Sequence, residues 1–429
     1  MTLSASTSFP SPVPLSAGAE TARLYRLECG MALLVERIES VRSAAISWLL
    51  PVGNAADPEG AAGDGEAVLL SELALRGAGG RDSRSLSDAL DRLGVQRALT
   101  AGAVHLQLSA TLLGSRVLDA LPLLASIVRD PALPDEHVDA VRSLCLQQLD
   151  GLEDDPQQLV MLRLRERHLP PPFNRTGYGD RAALESMTAQ QLRAAWVARC
   201  KPGGAILAIA GDVDGDRIAS LLDRLLAGWS GVTPDPQETA RPLGGVDHEE
   251  SDSSQTHIAV GFRAPPEGDP GATRFRIAAR ILGGDTSCRL FSEVREKRGL
   301  CYSVGASYSG GRDRGMLAIY SGSTPERAQD TGDCIACEMV RFESGVNADE
   351  FQRAVVGYKS RLIMSGESTA GRAASAAGDY YRLGRVRSLR ELADEVDAIS
   401  LADLNAYIAD TFNSSWRQTR SAFTIGPKP

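Results

Sequence analysis

The 429-residue sequence contains no run of eighteen apolar residues, so it predicts no membrane-spanning helix. Basic residues are in deficit: 46 lysines and arginines stand against 55 aspartates and glutamates, and the net charge of −9 argues against binding to a phosphate backbone. Residues 1–20 have neither the basic stretch nor the apolar core of a secretory signal, and their serine, proline and alanine predict a flexible arm. We therefore expect neither a nucleic-acid partner nor a membrane.

Cysteine and histidine are scarce. The seven cysteines are scattered and odd in number, which is typical of free thiols in a reducing compartment and predicts a cytoplasmic protein. Cys334 and Cys337 have C-x-x-C spacing, but no second pair completes a zinc site, so core packing is the favoured interpretation. No two of the five histidines lie within four residues of each other, and they predict no metal site: His105, His137, His168, His248 and His257.

The chain length and an apolar content of 43% suit two domains of about 200 residues. Each half of the sequence combines strand-like and helical segments, and the polar, Pro- and Gly-rich stretch 230–254 is typical of an interdomain linker. We predict an α+β fold with two similar domains, residues 21–229 and 255–429. Each is expected to be a mostly antiparallel β-sheet with helices packed on it.

The closing segments of the two halves match each other. Thr188 and Ser400 are each followed, three residues on, by a polar side chain and, four residues on, by leucine. This is the pattern of a capping box at the start of a helix. The repeat supports two domains of the same kind.

The strongest local pattern is "LFSEVREKRGLCYSV" in the second half, preceded by a helix that ends at Gly283 and Gly284. Taken singly, the glycine pair is a turn and the charged run is a solvated helix end. Together these residues resemble the second-domain motif of the pitrilysin/insulinase-type zinc peptidases. The similarity is greatest to the branch built from two-domain subunits, which includes the mitochondrial processing peptidase and its bacterial relatives. It extends from about residue 21 to residue 426.

This resemblance implies a role for two residues. In the family, an arginine and a tyrosine seven positions apart contact the substrate backbone, and here they correspond to Arg295 and Tyr302. A guanidinium and a phenol both donate hydrogen bonds, so they can hold a carbonyl and stabilise an oxyanion. The resemblance also implies that the Gly283–Gly284 turn shapes the wall of the substrate chamber and that the chain forms half of a clamshell.

The first domain of the family carries an H-x-x-E-H motif on a helix and a further glutamate about 76 residues later. Positions i, i+3 and i+4 share one helix face, so two imidazoles bind zinc while the carboxylate activates water. Aligned without gaps between Gly65 and Gly77, the four positions hold Val68, Ser71, Glu72 and Gln148. One remaining carboxylate does not make a zinc site, so we expect no cofactor in this chain.

The resemblance therefore implies a non-catalytic subunit of a heterodimeric zinc peptidase. A homologous partner would supply zinc and base, while Arg295 and Tyr302 would bind an unfolded peptide that adds as a strand to an exposed sheet edge. Peptidase activity is expected only with that partner. The alternative is a peptide-binding or structural scaffold protein of the same fold with no peptidase activity, as in the core subunits of a respiratory complex.

Overall fold

The computed structural model describes residues 13–14 and 22–427, which fall into two compact units. Unit 1 comprises Met1–Cys145, Asp180–Pro236 and Ser365–Ser388. Unit 2 comprises Leu146–Gly179, Gln237–Met364 and Leu389–Pro429. The predicted amino-terminal arm lies outside the described residues, except for Val13 and Pro14.

Unit 1 contains a seven-stranded, mostly antiparallel sheet and a separate two-stranded ribbon. Its strands are β1 (Val13–Pro14), β2 (Ala22–Arg26), β3 (Ala32–Arg37), β4 (Ser43–Leu50), β5 (Gly77–Ala78), β6 (Arg81–Asp82), β7 (Gln96–Ala101), β8 (Leu106–Leu113) and β9 (Ile206–Gly211). The order in the sheet is β1-β2-β3-β9-β4-β8-β7, with β3 and β9 parallel. β5 pairs with β6. β7 is thus an edge strand.

Unit 2 contains a five-stranded sheet. Its strands are β10 (Gly245–Glu250), β11 (Thr256–Ala264), β12 (Ser303–Gly310), β13 (Gly315–Ser323) and β14 (Ser421–Gly426). The order is β10-β14-β11-β13-β12, and only β10 and β14 are parallel. The predicted α+β fold class, with two mostly antiparallel sheets, is confirmed.

Helices cover the sheets of both units. They are α1 (Glu66–Leu73), α2 (Ser83–Arg92), α3 (Val117–Arg129), α4 (Asp135–Asp150), α5 (Pro156–His168), α6 (Arg181–Ser186), α7 (Ala189–Arg199), α8 (Gly215–Leu225), α9 (Ala272–Gly283), α10 (Ala328–Phe342), α11 (Ala348–Gly366), α12 (Thr369–Leu383), α13 (Leu389–Asp397), α14 (Leu401–Thr411) and α15 (Ser414–Arg417). Within the described ranges, none of these helices has the length and apolar character needed to cross a bilayer.

Each unit consists of three separate segments of the sequence, whereas the predicted boundaries 21–229 and 255–429 assume one continuous segment per domain. Helix α5, from the first half of the chain, packs on β11 and β14 of unit 2, where Val160 and Leu164 are buried against Phe423. Helix α12, from the second half, packs on β4 and β9 of unit 1. Hydrophobic periodicity shows that a helix has a buried face, but it does not show which sheet covers that face.

The predicted linker 230–254 contains a strand. The boundary between the units falls at Pro236 within this segment, but β10 begins nine residues later and pairs with β14. The β10 sequence "GVDHEE" has few of the β-branched and aromatic residues that indicate a strand, and it is exposed along much of its length. Its strand structure therefore depends on the neighbouring β14.

The two predicted capping boxes are both present. The Thr188 side chain accepts a hydrogen bond from the Gln191 backbone N–H at the start of α7, and the Gln191 side-chain oxygen accepts one from the Thr188 N–H. Ser400 and Asp403 repeat this arrangement at the start of α14. The internal repeat seen in the sequence thus corresponds to equivalent helix starts.

Gly283 is required by the close approach of α9 to β12. A Cβ atom at this position would lie 2.2 Å from the backbone nitrogen of Ala306. We expect Gly283→Ala to lower the free energy of unfolding by about 1–3 kcal/mol, measured by urea denaturation.

Gly332 in α10 is the matched control, because a Cβ there would meet no atom within 4 Å. Gly332→Ala should raise stability by about 0.5–1 kcal/mol. Equal effects at the two glycines would contradict the close-approach argument.

Candidate functional site

Helix α1 carries three of the four positions at which the zinc motif would stand. Val68 and Glu72 are half-buried and Ser71 is buried. The Ser71 hydroxyl donates a hydrogen bond to the Val68 carbonyl oxygen at 2.7 Å. The serine is therefore satisfied within its own helix turn and offers no base for activating water.

The fourth position lies on α4. Burial, followed by the negative charge of Glu72, raises the pKa of the Cys145 thiol to about 12, which places Glu72 close to this part of α4. Gln148 follows Cys145 by one helical turn and is exposed. Because Val68, Ser71 and Gln148 carry no carboxyl group, Glu72 is the single carboxylic side chain among the four predicted positions.

A buried ion-pair cluster, which sequence reasoning missed, holds the start of α1. The Asp57 carboxylate accepts hydrogen bonds from the backbone N–H groups of Gly65 and Ala67, at 3.1 and 3.2 Å. Arg199, at the end of α7, donates to Asp57 at 2.7 Å and to Glu66 at 2.8 Å. Negative charge at a helix amino terminus is stabilising, so Asp57 caps α1 from outside the helix.

Burial raises the pKa of Asp57 and of Glu66, while the positive charge of Arg199 acts in the opposite direction on both. Asp57 comes eight residues before Gly65, and Arg199 is 142 residues from Asp57 along the chain. Neither spacing is a local motif, so no sequence pattern identifies the cluster. Its role is to orient α1.

The histidines do not assemble into a metal site. Within residues 22–427, no group of three or more His, Cys, Asp or Glu side chains is placed to hold a metal ion. Four of the histidines instead have hydrogen-bond partners within the protein: His105 with Gly204, His168 with Ser421, His248 with Thr424 and His257 with Tyr320.

The C-x-x-C pair is divided between core and surface. Cys334 is part of the hydrophobic core of unit 2, whereas Cys337 is exposed on the same helix, α10. The packing interpretation therefore applies to Cys334 and is wrong for Cys337.

We expect the purified protein to bind no zinc in stoichiometric amounts, because the α1 positions offer one carboxylate and no imidazole. Dialysis against micromolar zinc followed by elemental analysis measures this directly. Addition of zinc should leave the thermal midpoint unchanged, since a ligand that binds only the folded state raises it. One zinc ion per chain would contradict the expectation.

Arg295 lies on a π-helical turn, Phe291–Glu296, between α9 and β12. Its side chain is exposed, and its Cζ atom stacks 4.6 Å from the centre of the Phe291 ring. Burial raises the pKa of the nearby Cys301 thiol, and the charge of Arg295 opposes that effect. The guanidinium stacks on the Phe291 ring, and because Arg295 is exposed, its N–H donors remain accessible to solvent.

The backbone of Tyr302 is hydrogen-bonded to the neighbouring strand, and its side chain is exposed to solvent. Its N–H donates to the Gly322 carbonyl of β13 at 2.8 Å, and the residue is 61% exposed. Gly299, with a φ of +62°, ends the turn, and the Leu300 N–H then donates to the Val294 carbonyl at 3.0 Å. The structure thus places Arg295 and Tyr302 on one short, well-bonded segment that leads into edge strand β12.

Comparisons with known proteins agree with this fold. Residues 186–357 match the family described as the peptidase M16 inactive domain. An uncharacterized zinc protease of Mycobacterium bovis is 28% identical over 402 residues, which cover 91% of this chain and 90% of the relative.

Two solved structures share the fold at lower identity. The peptidase M16 inactive domain from Pseudomonas fluorescens superimposes with a TM-score of 0.85 at 20% identity, covering 95% of this chain and 98% of that one. A chain of complex III2 from Candida albicans superimposes with a TM-score of 0.77 at 18% identity, covering 94% and 95%.

Fold and site together define a two-unit, peptidase-like protein without the residues of a zinc motif. The comparisons confirm the resemblance to the pitrilysin/insulinase-type peptidases that the sequence predicted. The chain is therefore similar to M16 peptidases, and its sequence lacks H-x-x-E-H.

Proposed function

We propose that this chain is the non-catalytic subunit of a heterodimeric zinc peptidase. A homologous partner carries zinc and the catalytic base. Arg295 and Tyr302 of this chain bind the substrate at that zinc site. The observation that carries the proposal is a contrast: the zinc positions hold Val68 and Ser71, yet the arginine and tyrosine stand exposed on an ordered turn.

The side-chain chemistry supports this role. Both groups are hydrogen-bond donors, and among the described residues neither side chain pairs with a buried acceptor that would explain its presence as structural. The contact of the Arg295 guanidinium with the Phe291 ring orients it without using its hydrogen-bond donors. Donors held in place before the reaction stabilise a developing oxyanion without reorganisation.

The substrate in this proposal is an unfolded peptide. β7 and β12 are the last strands of their sheets among the described residues, so each offers unpaired backbone groups along one side. A peptide that adds as a strand gains main-chain hydrogen bonds, which give affinity with little sequence preference. Tyr302 directly precedes β12, at one end of such an edge.

A cytoplasmic location is part of the proposal. All seven cysteines are free thiols, and five of them are buried. Proteins of oxidising compartments commonly pair their cysteines, whereas a reducing compartment keeps them as thiols.

The test is a tagged pull-down of the protein from its native cells, read by mass spectrometry. A stoichiometric partner of similar size that carries H-x-x-E-H, with zinc and peptidase activity only in the pair, would establish the proposal. A monomer or homodimer without zinc or activity would overturn it.

The second candidate is a scaffold or peptide-binding protein without a peptidase partner. The structural likeness to a chain of complex III2 favours it, since that chain has this fold as part of a complex. Recovery of several unrelated, stoichiometric subunits in the same pull-down would support this candidate.

A further inference from the structure

Unit 2 has an apolar groove between β10 and α10, with a volume of about 550 Å³. On the sheet side it is lined by Val246 and Val260, and on the helix side by Ile335, Met339 and Val340. Two of these side chains are unusually accessible for apolar residues, Val246 at 62% and Val340 at 54%. The volume lies in the range of sites that hold small ligands.

The groove follows from the sheet order. Val246, Ala422 and Val260 are aligned across β10, β14 and β11, so their side chains share one face. Helix α10 packs on β11 and β13, nearer the middle of the sheet. The β10 end of this apolar row is therefore left uncovered.

One end of the groove is positively charged. Arg417 and Arg420 line it, and no carboxylate of the described residues is among the lining groups. Arg417 is paired with Glu343 at 2.8 Å. Arg420 is exposed, and within the part of the chain that the structure describes no acidic side chain forms an ion pair with it. In a protein of net charge −9, this is a local site for an anion.

The direction in which β10 runs places the Arg420 guanidinium near one end of the sheet edge. β10 runs parallel to β14, and Arg420 directly precedes β14, so the cation lies level with the start of β10. Gly244 and Gly245 occupy that point with φ values of +63° and +73°, and they place no side chain between Arg420 and the edge. A peptide added antiparallel to β10 would therefore end beside Arg420.

We propose that this groove binds the carboxyl-terminal segment of a peptide whose last residue is apolar. The segment adds antiparallel to β10 along Val246–Glu250, the outer strand of this sheet among the described residues; Gly244, just before it, is already bonded to Arg167 of α5. Its terminal carboxylate pairs with Arg420, and its last side chain fills the groove beside Val246 and Val340. Glu250, exposed at the far end of β10, favours a basic residue four or five positions upstream. The site lies wholly within unit 2 and does not depend on the proposed peptidase partnership.

The test uses fluorescence anisotropy with the full-length chain. The probe is a fluorescein-labelled hexapeptide with lysine at its second position and leucine at a free carboxyl terminus, compared with the same peptide as a carboxyl-terminal amide. We expect the acid to bind about tenfold more tightly than the amide, because the amide lacks the charge-assisted hydrogen bond to Arg420.

Arg420→Met should reduce the acid to the affinity of the amide and leave the amide unchanged. The matched control is Arg361→Met, an exposed arginine on α11, which should change neither affinity. Val340→Asp, which puts a carboxylate at an already exposed position in the groove, should weaken both peptides by tenfold or more. The proposal is overturned if acid and amide bind wild type equally, if neither binds, or if Arg420→Met leaves their ratio intact.

Discussion

Replacing Arg295 by alanine in the assembled complex is expected to lower kcat/KM for a peptide substrate by about ten- to a thousand-fold. Tyr302→Phe, which removes only the phenolic hydroxyl, should have an effect in the same range. Each variant removes one donor to the developing oxyanion. The fold should be unaffected, because Arg295 is exposed and the main anchor of Tyr302 is its backbone bond to Gly322.

Arg298→Ala provides the matched control for this pair. Arg298 lies three residues after Arg295 and pairs with Glu293 at 2.8 Å near the surface, so its loss should leave kcat/KM within about twofold. Thermal unfolding of each free subunit checks that the substitutions act on function alone. Unchanged activity in both Arg295→Ala and Tyr302→Phe would remove this subunit from the catalytic mechanism.

Replacing Arg199 by methionine is expected to lower the free energy of unfolding by about 3–5 kcal/mol. The substitution removes the guanidinium that pairs with two carboxylates: the Asp57 side chain is 0% exposed and that of Glu66 is 13% exposed. It also weakens the cap at the start of α1. Urea denaturation at pH 7 measures the loss, and hydrogen exchange in α1 locates it.

The loss should shrink on acidification. Burial already raises the pKa of Asp57 and Glu66 in the folded protein, and removal of Arg199 raises both pKa values further. A raised carboxyl pKa contributes stability below the unfolded pKa, and that contribution is lost as the pH rises through the folded pKa. The variant should therefore lie closer to wild type at pH 5 than at pH 7.

The control for the cluster is Arg193→Met. Arg193 pairs with Asp135 in unit 1, with both side chains well exposed, so its loss should cost at most about 1 kcal/mol. If Arg199→Met is no more damaging than Arg193→Met, the buried cluster does not stabilise α1.

Features that depend on neighbouring residues were predictable from the sequence. The ends of α9 and of the turn after Arg295 coincide with Gly284 and Gly299, and the capping boxes lie at Thr188 and Ser400. The alternation of strand and helix patterns predicted the α+β class. In each case the physical cause is local, because a turn or cap is satisfied within a few residues.

Features that depend on tertiary contacts were not predictable. Arg199 meets Asp57 across 142 residues, and nothing near either one signals the pair. β10 has a polar sequence and is a strand because β14 supplies its hydrogen bonds. Likewise, the exposed, apolar end of the sheet beside Val246 results from where α10 stops covering it.

Each unit contains a helix from the other half of the chain: α5 belongs to unit 2 and α12 to unit 1. This arrangement has a consequence during synthesis on the ribosome. Unit 1 includes Ser365–Ser388, so the chain must be almost fully translated before the last helix of unit 1 exists. Until then the apolar face of β4 and β9 stays open to other chains, the kind of surface that chaperones protect. A protein truncated after the predicted linker would keep α5 without the β11 and β14 surface on which it packs. Its halves are therefore not independent modules that can be moved between genes.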